Sequence, residues 1–110
     1  MAIKANLTID QGSDFSASID ILDSNGDPFD LQGYTSAAQM RKNYSAESAI
    51  TFNTTENVSD SKIILTLTNE ETNNIEPGRY LYDLEIKSQS DTITRVVEGI
   101  VTVTPGITRI

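Results

Sequence analysis

The chain has 110 residues, with 16 Asp and Glu against 8 Lys and Arg and neither histidine nor cysteine. This length suits one hydrophobic core, so residues 1–110 are expected to form a single domain. The missing residue types exclude disulfides, thiolate and imidazole metal ligands and Ser-His or Cys-His nucleophiles, and no other catalytic pair stands out. The net charge of −8 argues against nucleic acid and anionic membranes as partners.

Acidic residues are concentrated in the first part of the chain, where six aspartates and no Lys or Arg lie between Ala5 and Met40. A solvated face is the simplest interpretation. A docking surface for a basic partner, divalent-cation binding and adaptation to salty water are the alternatives. The sequence shows no apolar run of membrane-spanning length and no leader pattern, so an intracellularly made protein is expected.

Alternation of apolar and polar residues predicts half-buried strands in the first half of the chain. Four strands are predicted, at residues 3–10, 15–21, about 36–42 and 50–52. Ala38 and Met40 are expected to share one face of the third strand. Residues 54–60 are polar and are predicted to form a loop.

The segment at residues 23–28 is dense in turn-forming residues. It resembles the start of a calcium loop, but Pro28 occupies the position where an EF-hand needs glycine. A tight hairpin is the favoured interpretation, and a calcium site built from Asp23, Asp27 and Asp30 is the alternative. No cofactor is expected.

A short helix is predicted after a fifth strand at residues 62–67. Thr68 and Glu71 have the spacing of a capping box, in which each side chain bonds the backbone N–H of the other. Pro77 and Gly78 follow closely and limit the helix to about two turns.

Two further strands are predicted, at residues 79–87 and 92–104. In the first, Tyr80, Tyr82, Leu84 and Ile86 share one face. The second changes phase near Glu98-Gly99, which indicates a bulge or a place where another backbone comes close.

Tyr80 and Tyr82 follow Gly78 at the point where a sandwich crosses from its fifth to its sixth strand. A tyrosine at this corner of immunoglobulin-type domains bonds its hydroxyl to upstream backbone. Corner and core roles are therefore predicted for both tyrosines, and a stacking platform for sugars or bases is the alternative.

These elements predict an all-β protein. The expected architecture is an immunoglobulin-like β-sandwich of about seven antiparallel strands, with one short helix between the fifth and sixth.

Three blocks of the chain resemble a family of small bacteriophage structural proteins. The first, at residues 23–33, resembles the pattern D-x-x-G-x-P-x-D-L-x-G. The second, at residues 67–86, resembles L-T-x-E-E-T-x-x-x-x-P-G-x-Y-x-Y-D-L-E-I. The third, at residues 93–109, resembles V-T-R-x-x-x-G-x-V-T-V-x-P-x-V-T-R. The chain is similar to the immunoglobulin-like amino-terminal domain of phage baseplate upper proteins.

This resemblance implies a non-enzymatic virion protein, made in the bacterial host cytoplasm, that serves as a tail, baseplate or neck accessory. Its partners would be other virion proteins, with the chain present as a homo-oligomer or in symmetric copies. A host-receptor or glycan recognition module and a head decoration protein are the alternatives.

The carboxy-terminal segment Ile107, Thr108, Arg109 and Ile110 is the candidate protein interface. It follows Pro105-Gly106 and combines apolar, polar and basic residues. Such a tail is expected to add as an extra strand to a neighbouring subunit.

Overall fold

A computed structural model describes residues 3–107, which form two β-sheets and one short helix. The strands, in chain order, are β1 (Ile3–Lys4), β2 (Leu7–Asp10), β3 (Phe15–Asp20), β4 (Thr35–Arg41), β5 (Ile50–Thr51), β6 (Asn53–Asn57), β7 (Lys62–Leu67), β8 (Gly78–Lys87) and β9 (Ile93–Thr104). The helix α1 covers Asn69–Asn73, between β7 and β8. No helix of the described residues is long and apolar enough to cross a membrane.

The larger sheet has the order β1-β9-β8-β4-β5, with β2 also paired to β9, and the smaller sheet has the order β3-β7-β6. Apolar side chains from both sheets form one buried cluster. Its fully buried members include Ile9, Met40, Ile63, Leu65 and Leu84. The chain is therefore all-β, as the alternating pattern predicts.

The strands with strict alternation bury the faces that the sequence predicts. In β8, Tyr80, Tyr82, Leu84 and Ile86 are each at most 5% exposed. Residues between them are only partly buried, because successive side chains of a strand point to opposite faces of the sheet.

The first strand is predicted to be continuous and antiparallel to its neighbours, and both parts of this prediction are wrong. The segment is divided into β1 and β2, and both run parallel to β9. The division lies at Asn6, whose side-chain Oδ1 accepts a hydrogen bond from the Ile100 N–H at 3.0 Å. This side-chain bond replaces a backbone bond of the ladder, so strand pairing is interrupted there.

The predicted loop at residues 54–60 is wrong for residues 54–57, and only residues 58–60 form a turn, because Asn53–Asn57 forms β6 and pairs with β7. Its partners include the buried residues Ile63 and Leu65. β6 is an edge strand of the smaller sheet, and such a strand tolerates polar residues that a central strand does not. The polar composition therefore marks its position in the sheet and not a loop.

The last strand changes phase earlier than predicted. The register between β8 and β9 shifts between Leu84 and Glu85, which leaves Val96 as the extra residue. Gly99 instead marks a close approach of backbone, since a Cβ there would lie 2.1 Å from the Ala5 carbonyl oxygen. Only a glycine lets β9 hold the first strand at this distance.

Candidate interaction surfaces

Tyr80 is buried, and its hydroxyl and its ring both have partners within the protein. The Tyr80 hydroxyl donates to the Glu76 carbonyl oxygen at 2.6 Å, and the residue is 5% exposed. The Lys42 ammonium lies 4.6 Å from the centre of its ring. Gly78 has a φ of +141°, a conformation that L-residues rarely adopt, so glycine is required where the chain turns into β8.

Tyr82 joins the core to the first strand. It is 4% exposed, and its hydroxyl donates to the Ala5 carbonyl oxygen at 2.6 Å. Burial raises the pKa of the Tyr82 hydroxyl to about 12, because the charged form loses its hydration. Both tyrosines thus have internal partners, and neither ring forms an exposed platform.

The helix contains both bonds of the predicted capping box. The Thr68 hydroxyl oxygen accepts from the Glu71 N–H at 3.2 Å, and a Glu71 carboxylate oxygen accepts from the Thr68 N–H at 2.9 Å. The bond from the Thr68 backbone lowers the pKa of Glu71. The carboxylate also accepts from the Asn53 side chain at 3.1 Å, which ties the helix to β6.

Two polar residues connect segments distant in sequence, and neither role follows from a sequence pattern. Thr72 is fully buried, and its hydroxyl donates to the Ser13 carbonyl and accepts from the Gly12 N–H. The Gln11 side-chain amide donates to the Ile75 carbonyl. In the sequence, Gln11 looks like an ordinary turn residue and Thr72 like an ordinary residue of a short helix, until the fold places the first turn beside the helix.

The carboxy-terminal candidate interface begins directly after a hydrogen-bonded residue. The Gly106 N–H donates to the Gln11 side-chain oxygen at 3.1 Å. One residue later, the Ile107 side chain is 95% exposed. Thr108, Arg109 and Ile110 lie outside the described residues. An apolar side chain is therefore presented to solvent directly after an anchored glycine.

The acidic segment at residues 23–28 forms a turn in which Asp23 bonds its own backbone neighbours. One Asp23 carboxylate oxygen accepts from the Asn25 N–H at 2.9 Å and from the Asp27 N–H at 3.0 Å. Leu22 and Pro28 form a β-bridge that closes the turn. Among residues 3–107, no group of three or more Asp or Glu is placed to hold a metal ion.

A groove of about 680 Å³ lies on the outer face of the larger sheet. Its floor contains Leu81, Asp83 and Glu85 from the outward side of β8. Tyr44, from the β4–β5 connection, also lines it and is 86% exposed. The volume falls in the range of about 300–1,000 Å³ that is usual for small-ligand sites.

Charges of both signs balance in this groove. Arg95 lies 3.1 Å from the Asp83 carboxylate and 3.9 Å from that of Glu98. Arg41 donates to the Ala46 carbonyl at 2.8 Å. The charged lining residues are Lys4, Arg41, Arg95, Asp83, Glu85 and Glu98. Three cations against three anions make the groove nearly neutral in a chain of net charge −8, which suits an uncharged polar ligand.

Comparison with known proteins yields likeness to solved structures and no family. No family model matches the chain, and no curated protein matches it. Among solved structures, the chain is similar to an internalin-like protein of Listeria monocytogenes, with 17% sequence identity and a TM-score of 0.48. The match covers 94% of this chain and 28% of that protein's chain. No family follows from these comparisons.

Proposed function

We propose that this chain is a non-enzymatic structural protein of a bacteriophage particle. It serves as a tail, baseplate or neck accessory that docks other virion proteins in symmetric copies. The resemblance of three sequence blocks to small phage structural proteins motivates the proposal. The observation that carries it is the tail, in which Gly106 is anchored to Gln11 and Ile107 is 95% exposed beyond it.

The proposed architecture is an immunoglobulin-like sandwich. Its support is the strand order, in which β2, β9, β8 and β4 are neighbours in one sheet and β3, β7 and β6 in the other. With β1 and β2 counted as one interrupted strand, these are seven strands, and β5 adds a two-residue edge. The bond from Tyr80 to Glu76 is the further support, because it has the form of a tyrosine corner.

The proposed mechanism is shape-complementary packing and edge-strand pairing, without chemistry. The buried polar side chains support it, because Thr72, Tyr80 and Tyr82 each bond to backbone inside the protein. Exposed strand edges and the apolar tail then provide the means of association.

Immunogold labelling of purified particles with an antiserum to this chain tests the proposal. Gold on the tail or baseplate is the expected result, and gold over the capsid would assign the chain to head decoration. Peptide mass spectrometry of the same particles is the second measurement, because an epitope buried in the assembly gives no label. Particles without peptides of this chain would contradict a virion role.

Recognition of a host glycan is the second candidate function, and the groove on the larger sheet favours it. An exposed aromatic ring, Tyr44, lines this nearly neutral, polar concavity. A glycan array with the purified protein and its Tyr44→Ala variant separates the candidates. Binding that the variant loses supports recognition, and absence of binding on the array leaves the structural role as the proposal.

A further inference from the structure

β3 is an edge strand with one side unpaired. It pairs with β7 from Phe15 to Asp20, and no strand of residues 3–107 pairs with its other side. Ile21, directly after β3, continues the β3–β7 register, and its N–H donates to the Ser61 carbonyl. The residues of β3 whose backbone groups bond to β7 are therefore the odd-numbered ones. Because antiparallel bonding alternates, the N–H and C=O groups of Ser16, Ser18 and Asp20 point to the open side.

This edge lacks most of the features that block strand pairing. It contains no proline, its register with β7 shows no bulge, and it is six residues long. Its outward side chains, Ser16, Ser18 and Asp20, are exposed, and the inward residues Phe15 and Ala17 remain only half-buried. A regular edge with partly exposed apolar neighbours is a template for another strand.

The side chains of this edge are complementary to those of the same edge in a second copy that is related by a two-fold axis. When two β3 strands run antiparallel with Ser18 opposite Ser18, each Ser16 faces the Asp20 of the other copy. A serine hydroxyl can donate to that carboxylate, and Ala17 faces Ile19 on the inward side. A register centred on Ala17 would instead place Asp14 opposite Asp20, and directly opposed like charges are destabilising.

We propose that this open edge pairs with the same edge of a second copy, antiparallel and centred on Ser18. The two smaller sheets then join into one continuous sheet across an isologous two-fold interface. The two Asp20 residues lie four positions apart along the joined strands, roughly 13 Å, which exceeds the Debye length at physiological salt. Asp20 also has Lys62 as an ion-pair partner on its own copy.

The pairing deepens the proposed function, since symmetric copies and edge pairing are part of it. It is tested on the purified full chain alone, so its failure is distinguishable from failure of the virion role. Sedimentation velocity over a concentration series is expected to show a monomer–dimer equilibrium. A chain that remains monomeric throughout would overturn the proposal.

A pair of charge variants locates the interface. Ser18→Asp places two carboxylates opposite each other on the axis and is expected to weaken dimerisation by about tenfold or more. Thr55→Asp makes the same charge change at an exposed position on β6, the other edge of this sheet, and is expected to leave the dimer intact. Equal effects of the two variants would overturn the assignment to β3.

Cross-linking tests the register, because the natural chain contains no cysteine. Residues that exchange both backbone bonds in an antiparallel pair lie about 5.5 Å apart at Cα, within the range that a disulfide spans. Ser18→Cys is therefore expected to form a covalent dimer under mild oxidation, faster than Ser16→Cys or Thr55→Cys. Faster cross-linking of either control would contradict the pairing centred on Ser18.

Discussion

Single buried hydroxyl groups hold together parts of the chain that are far apart in sequence. Thr72 on the helix bonds Ser13 and Gly12 in the first turn, about sixty residues earlier. Tyr82 on β8 bonds Ala5 near the start of the chain. Such bonds stabilise modestly when made, but the groups are costly to leave unpaired in the interior.

Replacement of Thr72 by valine should therefore lower stability. Valine keeps the shape but removes the acceptor for the Gly12 N–H and the donor to the Ser13 carbonyl, so we expect the free energy of unfolding to fall by about 1–3 kcal/mol. Urea denaturation measures it. Thr8→Val on the exposed face of β2 is the control, expected within about 0.5 kcal/mol of the unmodified protein. Equal stability of the two variants would contradict the role of Thr72.

Ionisation of Glu71 should make the unfolding free energy depend on pH in the acidic range. The backbone bond from Thr68 lowers the pKa of its carboxyl below the ordinary value of 4.5. A lowered folded-state pKa contributes stability above the unfolded pKa, and this contribution is lost as the pH falls through the folded pKa. Glu71→Gln should therefore be less stable than the natural protein at neutral pH, and the difference should shrink below about pH 4.5.

Denaturant titrations of both proteins from about pH 7 to about pH 3 measure this difference. Glu70→Gln is the matched control, because it lies beside Glu71 in the same first turn but outside the capping box. A stability difference for Glu71→Gln that stays constant across the range would mean that the charge of Glu71 does not matter.

Gly99 determines how two strands meet. A Cβ at this position would lie 2.1 Å from the Ala5 carbonyl oxygen, so Gly99→Ala must push the first strand away from β9. We expect a loss of about 1–3 kcal/mol in unfolding free energy. Amide exchange should also become faster in β2, because its pairing with β9 is weakened.

Gly26→Ala is the control for this prediction. It has open space around the added methyl group but a φ of +83°, so a cost of about 1 kcal/mol without faster exchange in β2 is expected. Unchanged exchange in β2 of Gly99→Ala would show that the strands tolerate the methyl group.

The carboxy-terminal segment at residues 107–110 makes a separate prediction. Deletion of residues 107–110 should leave the thermal transition nearly unchanged, because Gly106 is hydrogen-bonded to Gln11 and Ile107, which follows it, is 95% exposed. Incorporation into particles should weaken, as judged by the amount of the chain in purified virions. A collapsed melting temperature would show that the tail belongs to the core.

The spacing of apolar residues predicts which face of a strand is buried, but it does not predict which strands pair. The buried side of β8 and the capping box at Thr68 follow from residue spacing, and the structure contains both. The parallel pairing of β1 and β2 with β9 does not follow, because alternation specifies which face is buried and not which strand is the neighbour. The same limit hides Thr72 and Gln11, whose partners are brought near only by the fold.

For the whole molecule, excess negative charge opposes compaction. The chain carries 16 acidic against 8 basic residues, and ion pairs such as Lys87–Asp91 are largely exposed, so they contribute little. Added salt should therefore raise the melting temperature, because the Debye length falls from about 30 Å at 0.01 M to about 8 Å at 0.15 M. Calorimetry over a series of NaCl concentrations measures this. A melting temperature that is independent of salt would contradict it.

The parallel pairing of the first strand with the last has a consequence for synthesis. The smaller sheet contains β3, β6 and β7 and is complete once Leu67 has emerged from the ribosome. Among residues 3–107, β1 and β2 pair with no strand other than β9, which ends at Thr104. Contacts so distant in sequence form slowly. The amino-terminal strand therefore waits, unpaired, until β9 has been made, and the larger sheet is completed after the smaller one.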